Sequence, residues 1–264
     1  MNVTPATEAA IVGRLRRAGC VFAEDEATLL IAEATDEDHL DAMVGLRSAG
    51  QPLEHIVGWV DFCGLRVVVE PGVFVPRQRT EFLVRRAMEL IGDRTPPPVV
   101  VDLCCGCGAL GAALAHRRAV ELYAADVDPA AVRSARLNVE RIGGQVFLGD
   151  LFDALPDRLR GRVDLLMVNA PYVPTGSIEL MPPEARLHEP SVALDGGPDG
   201  LDIHRRVIAA AGDWLAPGGH LLIETSQEQA PTAAALMARA ALTAQIATSD
   251  ELYATIVIGT RPAG

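Results

Sequence analysis

Acidic side chains follow three stretches that the pattern of apolar residues predicts as buried strands. Asp102 ends the first stretch, Asp126 ends the second, and Asp150 lies just after the third. The carboxyl ends of parallel strands meet at one edge of a sheet, where ligands bind. Asp102 could accept a hydrogen bond from an ammonium group, and Asp126 could accept both hydroxyls of a ribose. Asp150 and Leu151 could border an adenine, so the set predicts a site for a cationic nucleoside.

The turn after the first of these strands is rich in glycine and cysteine. Glycine lacks a Cβ, so the backbone of such a turn can approach a ligand closely. Dinucleotide sites share this feature, but they bring a pyrophosphate to the helix N-terminus, where Asp102 would repel it. Taken singly, each aspartate could simply cap a helix or a turn. Together, the features predict S-adenosylmethionine as the cofactor, in contact with Asp102, Asp126, Asp150, Leu151 and the turn residues Cys104, Cys105, Gly106, Cys107 and Gly108.

A fourth predicted strand, residues 164–168, leads into Asn169, Ala170, Pro171 and Tyr172. The Asn169 side-chain oxygen could accept one N–H of a planar NH₂ group, and the Ala170 carbonyl could accept the other. Tyr172 could pack against the flat group. Holding both hydrogens would turn the nitrogen lone pair toward a methyl donor, which is catalysis by positioning. We therefore expect these four residues to be catalytic, with Asn169 also touching the cofactor. In isolation, the same residues could form a plain strand-to-loop turn.

The elements that must position these residues follow an α/β pattern. From about residue 99, apolar strands alternate with helices, which predicts a Rossmann-like, doubly wound and mostly parallel sheet. Residues 1–55 have helical periodicity and predict a small N-terminal helical domain. Residues 56–76 predict a β-hairpin linker, with its turn at Cys63-Gly64. Residues 77–264 are then the methyltransferase domain.

Composition narrows the classes of partner and compartment. The net charge is −12 and every basic residue is arginine, which disfavours stable bulk binding of nucleic acid. No stretch is long and apolar enough to span a membrane, and the first ten residues do not look like a secretory signal. We expect a cytoplasmic protein without a membrane partner. The five cysteines are odd in number and clustered, unlike a disulfide framework, and we expect no metal site.

Several segments resemble the HemK/PrmC-type protein-(glutamine-N5) methyltransferases. Asn169–Tyr172 resembles the Asn-Pro-Pro-Tyr motif shared by amino-methylating enzymes. The resemblance extends from about Pro52 to the C-terminus, and the family also has a helical N-terminal domain. Further matching segments are Pro52–Gly58, Phe74–Glu81, His188–Pro190, Ala193-Leu194, Gly197 and Asp199–Asp202.

This resemblance implies transfer of a methyl group from S-adenosylmethionine to the side-chain amide nitrogen (N5) of a glutamine. The implied partner is a protein with an exposed glutamine loop, either a peptide chain release factor or another translation protein. The chain departs from the family pattern at three positions. Cys104 replaces the first glycine of the cofactor turn, Gln78 replaces a proline, and Ala170 replaces the first proline of the substrate motif.

Two alternatives remain open from the sequence. An N6-adenine methyltransferase acting on RNA or DNA would use the same Asn169–Tyr172 geometry, but it would need base flipping and a basic track, which the acidic charge disfavours. A non-catalytic binding protein with the same fold is the other alternative, because Cys104 alters the cofactor turn.

Overall fold

The computed structural model describes residues 3–92 and 95–263 of the chain. Its first helices are α1 (Pro5–Arg17), α2 (Ala23–Glu33), α3 (Glu37–Ser48) and the short α4 (Leu53–Val57). The side chains of Thr4 and Asp36 accept backbone N–H groups at the starts of α1 and α3, which is a common N-terminal cap. The first three helices share a small apolar core of their own. The helical character of this region was predicted correctly, while the domain boundary near residue 55 stays a prediction.

A β-hairpin connects these helices to the rest of the chain. It consists of β1 (Trp59–Phe62) and β2 (Leu65–Val68), which pair antiparallel. Gly58 ends α4 with a φ of 81°, so β1 begins later than residue 56, where the linker was predicted to start. The hairpin packs with the next helix, α5 (Glu81–Ile91), in one apolar core.

Seven strands of the described residues form the main sheet: β3 (Val99–Leu103), β4 (Glu121–Asp126), β5 (Gln145–Leu148), β6 (Val163–Val168), β7 (Leu215–Thr225), β8 (Thr243–Ser249) and β9 (Ala254–Thr260). Their order across the sheet is β5-β4-β3-β6-β7-β9-β8. β3 to β7 run parallel, and β9 and β8 pair antiparallel at the end of the sheet.

Helices cover both faces of this sheet. One apolar core lies on the face of the sheet that α5 covers, and a second lies on the opposite face. The remaining α-helices are α6 (Ala109–Arg117), α7 (Pro129–Val139), α8 (Pro183–His188), α9 (Asp202–Trp214) and α10 (Ala230–Arg239). Short 3₁₀ turns occupy Gln78–Thr80, Glu140–Ile142, Leu151–Ala154, Asp157–Leu159, Thr175–Leu180 and Ser191–Ala193. The predicted fold class is confirmed.

The strand order places a switch point next to β3. From β3 the chain moves outward through β4 to β5, and then returns to β6 on the other side of β3. Loops on the two sides of this point diverge, which opens a crevice at the carboxyl ends of the strands. The turn after β3 and the residues after β4 and β6 therefore come together.

One strand was missed from the sequence. β8 lies at the edge of the sheet, and none of its residues is fully buried. Its mixed polar and apolar residues gave no continuous apolar run. Within residues 3–92 and 95–263, no helix combines the length and apolar character that a membrane crossing requires.

Candidate active site

A cavity of about 390 Å³ opens at the carboxyl ends of β3, β4 and β6, within the range of small-molecule sites. Most of the predicted site residues lie on its wall. They are Cys104, Cys105, Gly106 and Cys107 from the turn, Asp126, Asp150 and Leu151 from the neighbouring strand ends, and Asn169, Ala170, Pro171 and Tyr172 after β6. Asp102 and Gly108 belong to the predicted set but do not line the cavity.

Asp126 joins the ends of β4 and β3. Its Oδ2 accepts the backbone N–H of Gly106 at 2.8 Å, and its Oδ1 accepts the N–H of Asp128 at 2.9 Å. Burial raises the pKa of this carboxyl, while these backbone hydrogen bonds oppose the rise. Each carboxylate oxygen can still accept another hydrogen bond, so Asp126 can hold a ligand hydroxyl from the cavity wall.

Asp102 lies under the turn rather than on the cavity wall. It is fully buried, and its Oδ2 accepts the N–H of Gly111 in α6 at 2.8 Å. Its Oδ1 has no hydrogen-bond partner in the described part of the chain. Burial raises the pKa of Asp102 to about 7. The end of β3 points this side chain toward α6, and its expected contact with an ammonium group stays a prediction.

Gly108 serves helix packing. Its φ is 78°, and a Cβ on it would lie 2.7 Å from a methyl carbon of Val139 and 3.3 Å from the Cβ of Ala135, both in α7. The first distance is shorter than real Cβ atoms show, and the second is tight enough that Ala135 would have to shift slightly. The glycine lets α6 approach α7, and the expected cofactor contact of Gly108 stays a prediction.

Cys104 adopts a left-handed backbone conformation, with a φ of 57°. This conformation costs a residue with a Cβ roughly 1–2 kcal/mol, so the glycine of the family pattern would be relaxed here. Burial raises the pKa of Cys104, Cys105 and Cys107, which keeps these thiols neutral. Across residues 3–92 and 95–263, no three His, Cys, Asp or Glu side chains group as a metal site would require.

Asp150 and Leu151 border the cavity after β5. Asp150 forms an ion pair with Arg206 of α9, with 2.6 Å between Oδ2 and Nη2. Leu151 has a φ of 49°, which is uncommon for a branched side chain. Asp150, at the position predicted to border an adenine, is therefore paired with an arginine.

Asn169 and Ala170 present unused acceptors to the cavity. Neither the Asn169 side chain nor the Ala170 carbonyl has a hydrogen-bond partner within the described residues. Ala170 lines the cavity, although the residue as a whole, backbone included, is only 2% exposed. Two neighbouring acceptors without partners suit a group that offers two N–H donors.

Tyr172 is fixed in the wall by its phenol oxygen. It accepts a hydrogen bond from Arg79 Nη2 at 2.9 Å and donates one to Glu224 Oε1 at 3.2 Å. Its carbonyl accepts from Gln229 Nε2 at 2.9 Å. Burial raises the pKa of Tyr172 to about 12, so the phenol stays neutral.

The sequence did not single out the partners of Tyr172. Glu224 lies near the carboxyl end of β7, so the reasoning that selected acids at strand ends could have found it. Arg79 belongs to the Phe74–Glu81 segment that carried the resemblance, but no role was assigned to it. It lies just before α5, near the cavity.

Glu189 closes another side of the cavity. Its Oε1 accepts from Arg77 Nη2 at 2.6 Å and from the backbone N–H of Val75 at 3.2 Å. These bonds tie the segment around α8 to the chain that follows the hairpin. The resembling segment His188–Pro190 thus has a structural place in the site.

Comparisons with known proteins agree with this geometry. The family model described as methyltransferase small domain matches residues 64–183. A release factor glutamine methyltransferase of Geobacter sulfurreducens is 39% identical over 201 residues, covering 75% of this chain and 68% of that protein. The chain belongs to this HemK/PrmC-type family.

Membership makes the chain an S-adenosylmethionine-dependent methyltransferase, which confirms the predicted cofactor and enzyme class. A relative with a different named activity is similar to the same degree. A 4-amino-L-phenylalanine/4-methylamino-L-phenylalanine methyltransferase of Streptomyces pristinaespiralis is 40% identical over 195 residues, covering 72% of this chain and 66% of that protein. Among solved structures, the ribosomal protein L11 methylase of Lactobacillus delbrueckii subsp. bulgaricus aligns with a TM-score of 0.53. That alignment covers 74% of this chain and 85% of the other at 15% identity, so it supports the fold alone.

The cavity wall of this family member fits the cofactor. Gly106 has a φ of 55°, and a Cβ on it would meet no atom within 4 Å, so its backbone borders open space. The Asp126 carboxylate could accept hydrogen bonds from ribose hydroxyls, and the neutral cysteine side chains beside it add no charge. The wall next to Asn169 leaves acceptors free for the second substrate.

Proposed function

We propose that this enzyme transfers a methyl group from S-adenosylmethionine to the side-chain amide nitrogen of a glutamine in a protein. The observation that carries the proposal is the pair of unused acceptors, the Asn169 side chain and the Ala170 carbonyl. A primary amide offers two N–H donors in one plane, which matches two adjacent acceptors. The release factor activity of the Geobacter relative supports the same substrate class.

In this proposal the residues after β6 act by positioning. The amide nitrogen is a weak nucleophile, because its lone pair is delocalised into the carbonyl. Accepting both N–H groups at Asn169 and Ala170 holds the nitrogen in one orientation, with its lone pair facing the methyl donor. Tyr172, fixed by Arg79 and Glu224, packs against the flat amide.

The bound cofactor supplies an electrophilic methyl group on a positively charged sulfur. Asp126 and the backbone around Gly106 would hold its nucleoside part, and Asp150 and Leu151 would border the base. The methylated, protonated amide is a strong acid and loses its proton readily, so no strong base is required. The neutral Tyr172 phenol is consistent with this.

We propose a peptide chain release factor, or another translation protein, as the partner, which places the reaction in the cytoplasm. The net charge of −12 supports a protein substrate over RNA or DNA, because phosphate contacts favour a basic surface. The Streptomyces relative makes a free aromatic amine the competing substrate to test.

The experiment offers several acceptors to the purified enzyme with radiolabelled S-adenosylmethionine. They are release factors, total cell protein, total RNA and 4-amino-L-phenylalanine. We expect label in protein, located on a glutamine by mass spectrometry. Label in a protein other than a release factor would retain the chemistry and change the partner. Label only in RNA or only in the free amino acid would contradict the proposal.

A further inference from the structure

A second cavity, of about 690 Å³, lies at the carboxyl end of β7 beside the turn between β8 and β9. Arg79 and Tyr172 line both this cavity and the first one. A substrate whose reacting group lies next to Tyr172 can therefore place a neighbouring group in the second cavity. No part of the chemistry proposed above uses this space.

The wall of the second cavity contains a buried carboxylate with an unused oxygen. The Glu224 side chain is 2% exposed. Its Oε1 is shared by Arg79 Nε at 3.3 Å and the Tyr172 hydroxyl at 3.2 Å. Its Oε2 has no hydrogen-bond partner in the described part of the chain. A buried carboxylate oxygen without a donor is unfavourable, and a ligand that brings a donor removes the penalty.

The charges around the cavity favour a positively charged donor. Glu224 and Asp250 line it against the single cation Arg79 among the described lining residues. Arg79 already donates from Nε and Nη2 within the cluster. Outside the lining, Arg85 forms an ion pair with Glu251, with 3.6 Å between Nη1 and Oε2. The lining thus keeps one negative charge in excess.

Hydroxyl groups complete the lining, at Thr225, Ser226, Thr248, Ser249 and Thr255. They can accept the further N–H groups that a guanidinium or ammonium brings. The mouth is open to the outside beside Tyr253, which is 91% exposed. The space is therefore accessible to a side chain that enters from a bound protein.

We propose that the second cavity binds an arginine or lysine side chain of the substrate protein, near the methylated residue, with Glu224 as its main acceptor. This inference rests on the proposed function, since it describes how the same protein substrate is recognised. It makes Glu224 a determinant of substrate selection: the enzyme prefers a glutamine with a basic residue nearby.

Direct binding tests the site without requiring methyl transfer. The probe is N-acetyl-L-argininamide, titrated by NMR into the enzyme saturated with S-adenosylmethionine. N-acetyl-L-citrullinamide has nearly the same shape without the charge, and we expect it to bind at least fivefold more weakly. Glu224→Gln and Asp250→Asn should each weaken binding of the arginine probe at least fivefold. The matched control Glu251→Gln, in the same turn but outside the cavity lining, should change it less than twofold.

Asp250 is exposed, so Asp250→Asn keeps the test valid if Glu224→Gln fails to fold. Equal affinity of the wild type and both variants for the arginine probe would overturn the proposal. So would equal affinity of the wild type for the two probes.

Peptides then separate this inference from the proposed function. A set of glutamine peptides carries either arginine or citrulline at each position from three before to three after the glutamine. In at least one position, arginine should lower KM at least fivefold with little change in kcat, and Glu224→Gln should remove that preference. Methylation of the peptides without any preference would overturn the inference and leave the proposed function standing. Glu224-dependent binding of the probe without methylation of any glutamine substrate would support the cation site and refute the glutamine assignment.

Discussion

The carboxylate of Asp126, at the end of β4, holds the backbone N–H of Gly106, in the turn after β3, at 2.8 Å. Two strand ends are thereby fixed to each other before any ligand binds. The same carboxylate also accepts the N–H of Asp128. Asp126 thus shapes the cofactor turn and faces the cavity.

Replacing Asp126 with asparagine should weaken S-adenosylmethionine binding. The asparagine oxygen can keep one backbone N–H, but the charge and one acceptor are lost. We expect a loss of about 1.5–3 kcal/mol, the scale of a hydrogen bond to a charged group. Isothermal titration calorimetry measures it, and Asp153→Asn, outside the cavity lining, is the control. A folded Asp126→Asn variant with wild-type affinity would remove the ribose assignment.

Asn169→Ala should separate cofactor binding from methyl transfer. The Asn169 side chain is unused within the described residues, so its removal leaves no buried partner behind. Cofactor affinity should stay within about threefold, while kcat falls by at least 100-fold, as expected of a group that positions the nucleophile. Calorimetry and single-turnover transfer give the two quantities. Transfer near the wild-type rate would exclude Asn169 as the amide acceptor.

Ala170→Pro restores the proline of the family motif and should retain transfer. The Ala170 N–H makes no backbone hydrogen bond in the described part of the chain, so proline removes no donor that is in use. The carbonyl, which is the group proposed to act, is unchanged. We expect kcat within about fivefold of the wild type, since the positioning groups are retained. A loss as large as that of Asn169→Ala would show that the alanine itself sets the substrate geometry.

Cys104 should tolerate glycine better than alanine. With a φ of 57°, an alanine at this position keeps the strain of a Cβ, and glycine relieves it. We expect Cys104→Gly to be more stable than Cys104→Ala by about 1 kcal/mol. Cys107 has no positive φ, so there the alanine variant should be more stable than the glycine variant, by about 0.5–1 kcal/mol. Urea unfolding of the four variants measures both differences in stability. If the same residue, glycine or alanine, were the more stable at both positions, the backbone explanation would be contradicted.

Asp102 should make the stability of the cofactor-free protein depend on pH. Burial raises its pKa from 3.8 to about 7, so between these values the folded state binds the proton more tightly than the unfolded state. Stability should therefore fall as the pH rises through this window and level off above it. Asp102→Asn keeps an acceptor for Gly111 and should remove that slope, worth at most about 4 kcal/mol. Urea unfolding from pH 4 to pH 8 measures it, with the exposed Asp157→Asn as control; a parallel slope in Asp102→Asn would refute the assignment.

Much of the fold could be predicted because its signals are local. The strands Val99–Leu103, Glu121–Asp126 and Gln145–Leu148 have the bounds expected from their apolar runs. The topology is also constrained, because the connection from a strand through a helix to a parallel strand is almost always right-handed. β8 was not predicted, because an edge strand with an exposed face lacks the apolar run that marks a buried strand.

The sequence predicts the site residues that directly follow a strand. It predicts less well the residues whose position depends on packing between distant elements. Asp126 and Asn169 reach the cavity as expected. Asp102 satisfies the same sequence rule, but the direction of its side chain toward α6 depends on a helix that the rule does not consider. Glu224 and Arg79 lie 145 residues apart in the chain, and only the folded sheet brings them to Tyr172.

Gly108 and Cys104 belong to one short motif, yet they should behave differently over evolutionary time. At position 104, a residue other than glycine costs backbone strain at that residue alone, so no change elsewhere is needed. At Gly108 an added methyl group would collide with Val139, so a change there needs a compensating loss of volume on another helix. Among homologues, position 104 should therefore vary independently, whereas position 108 should covary with position 139.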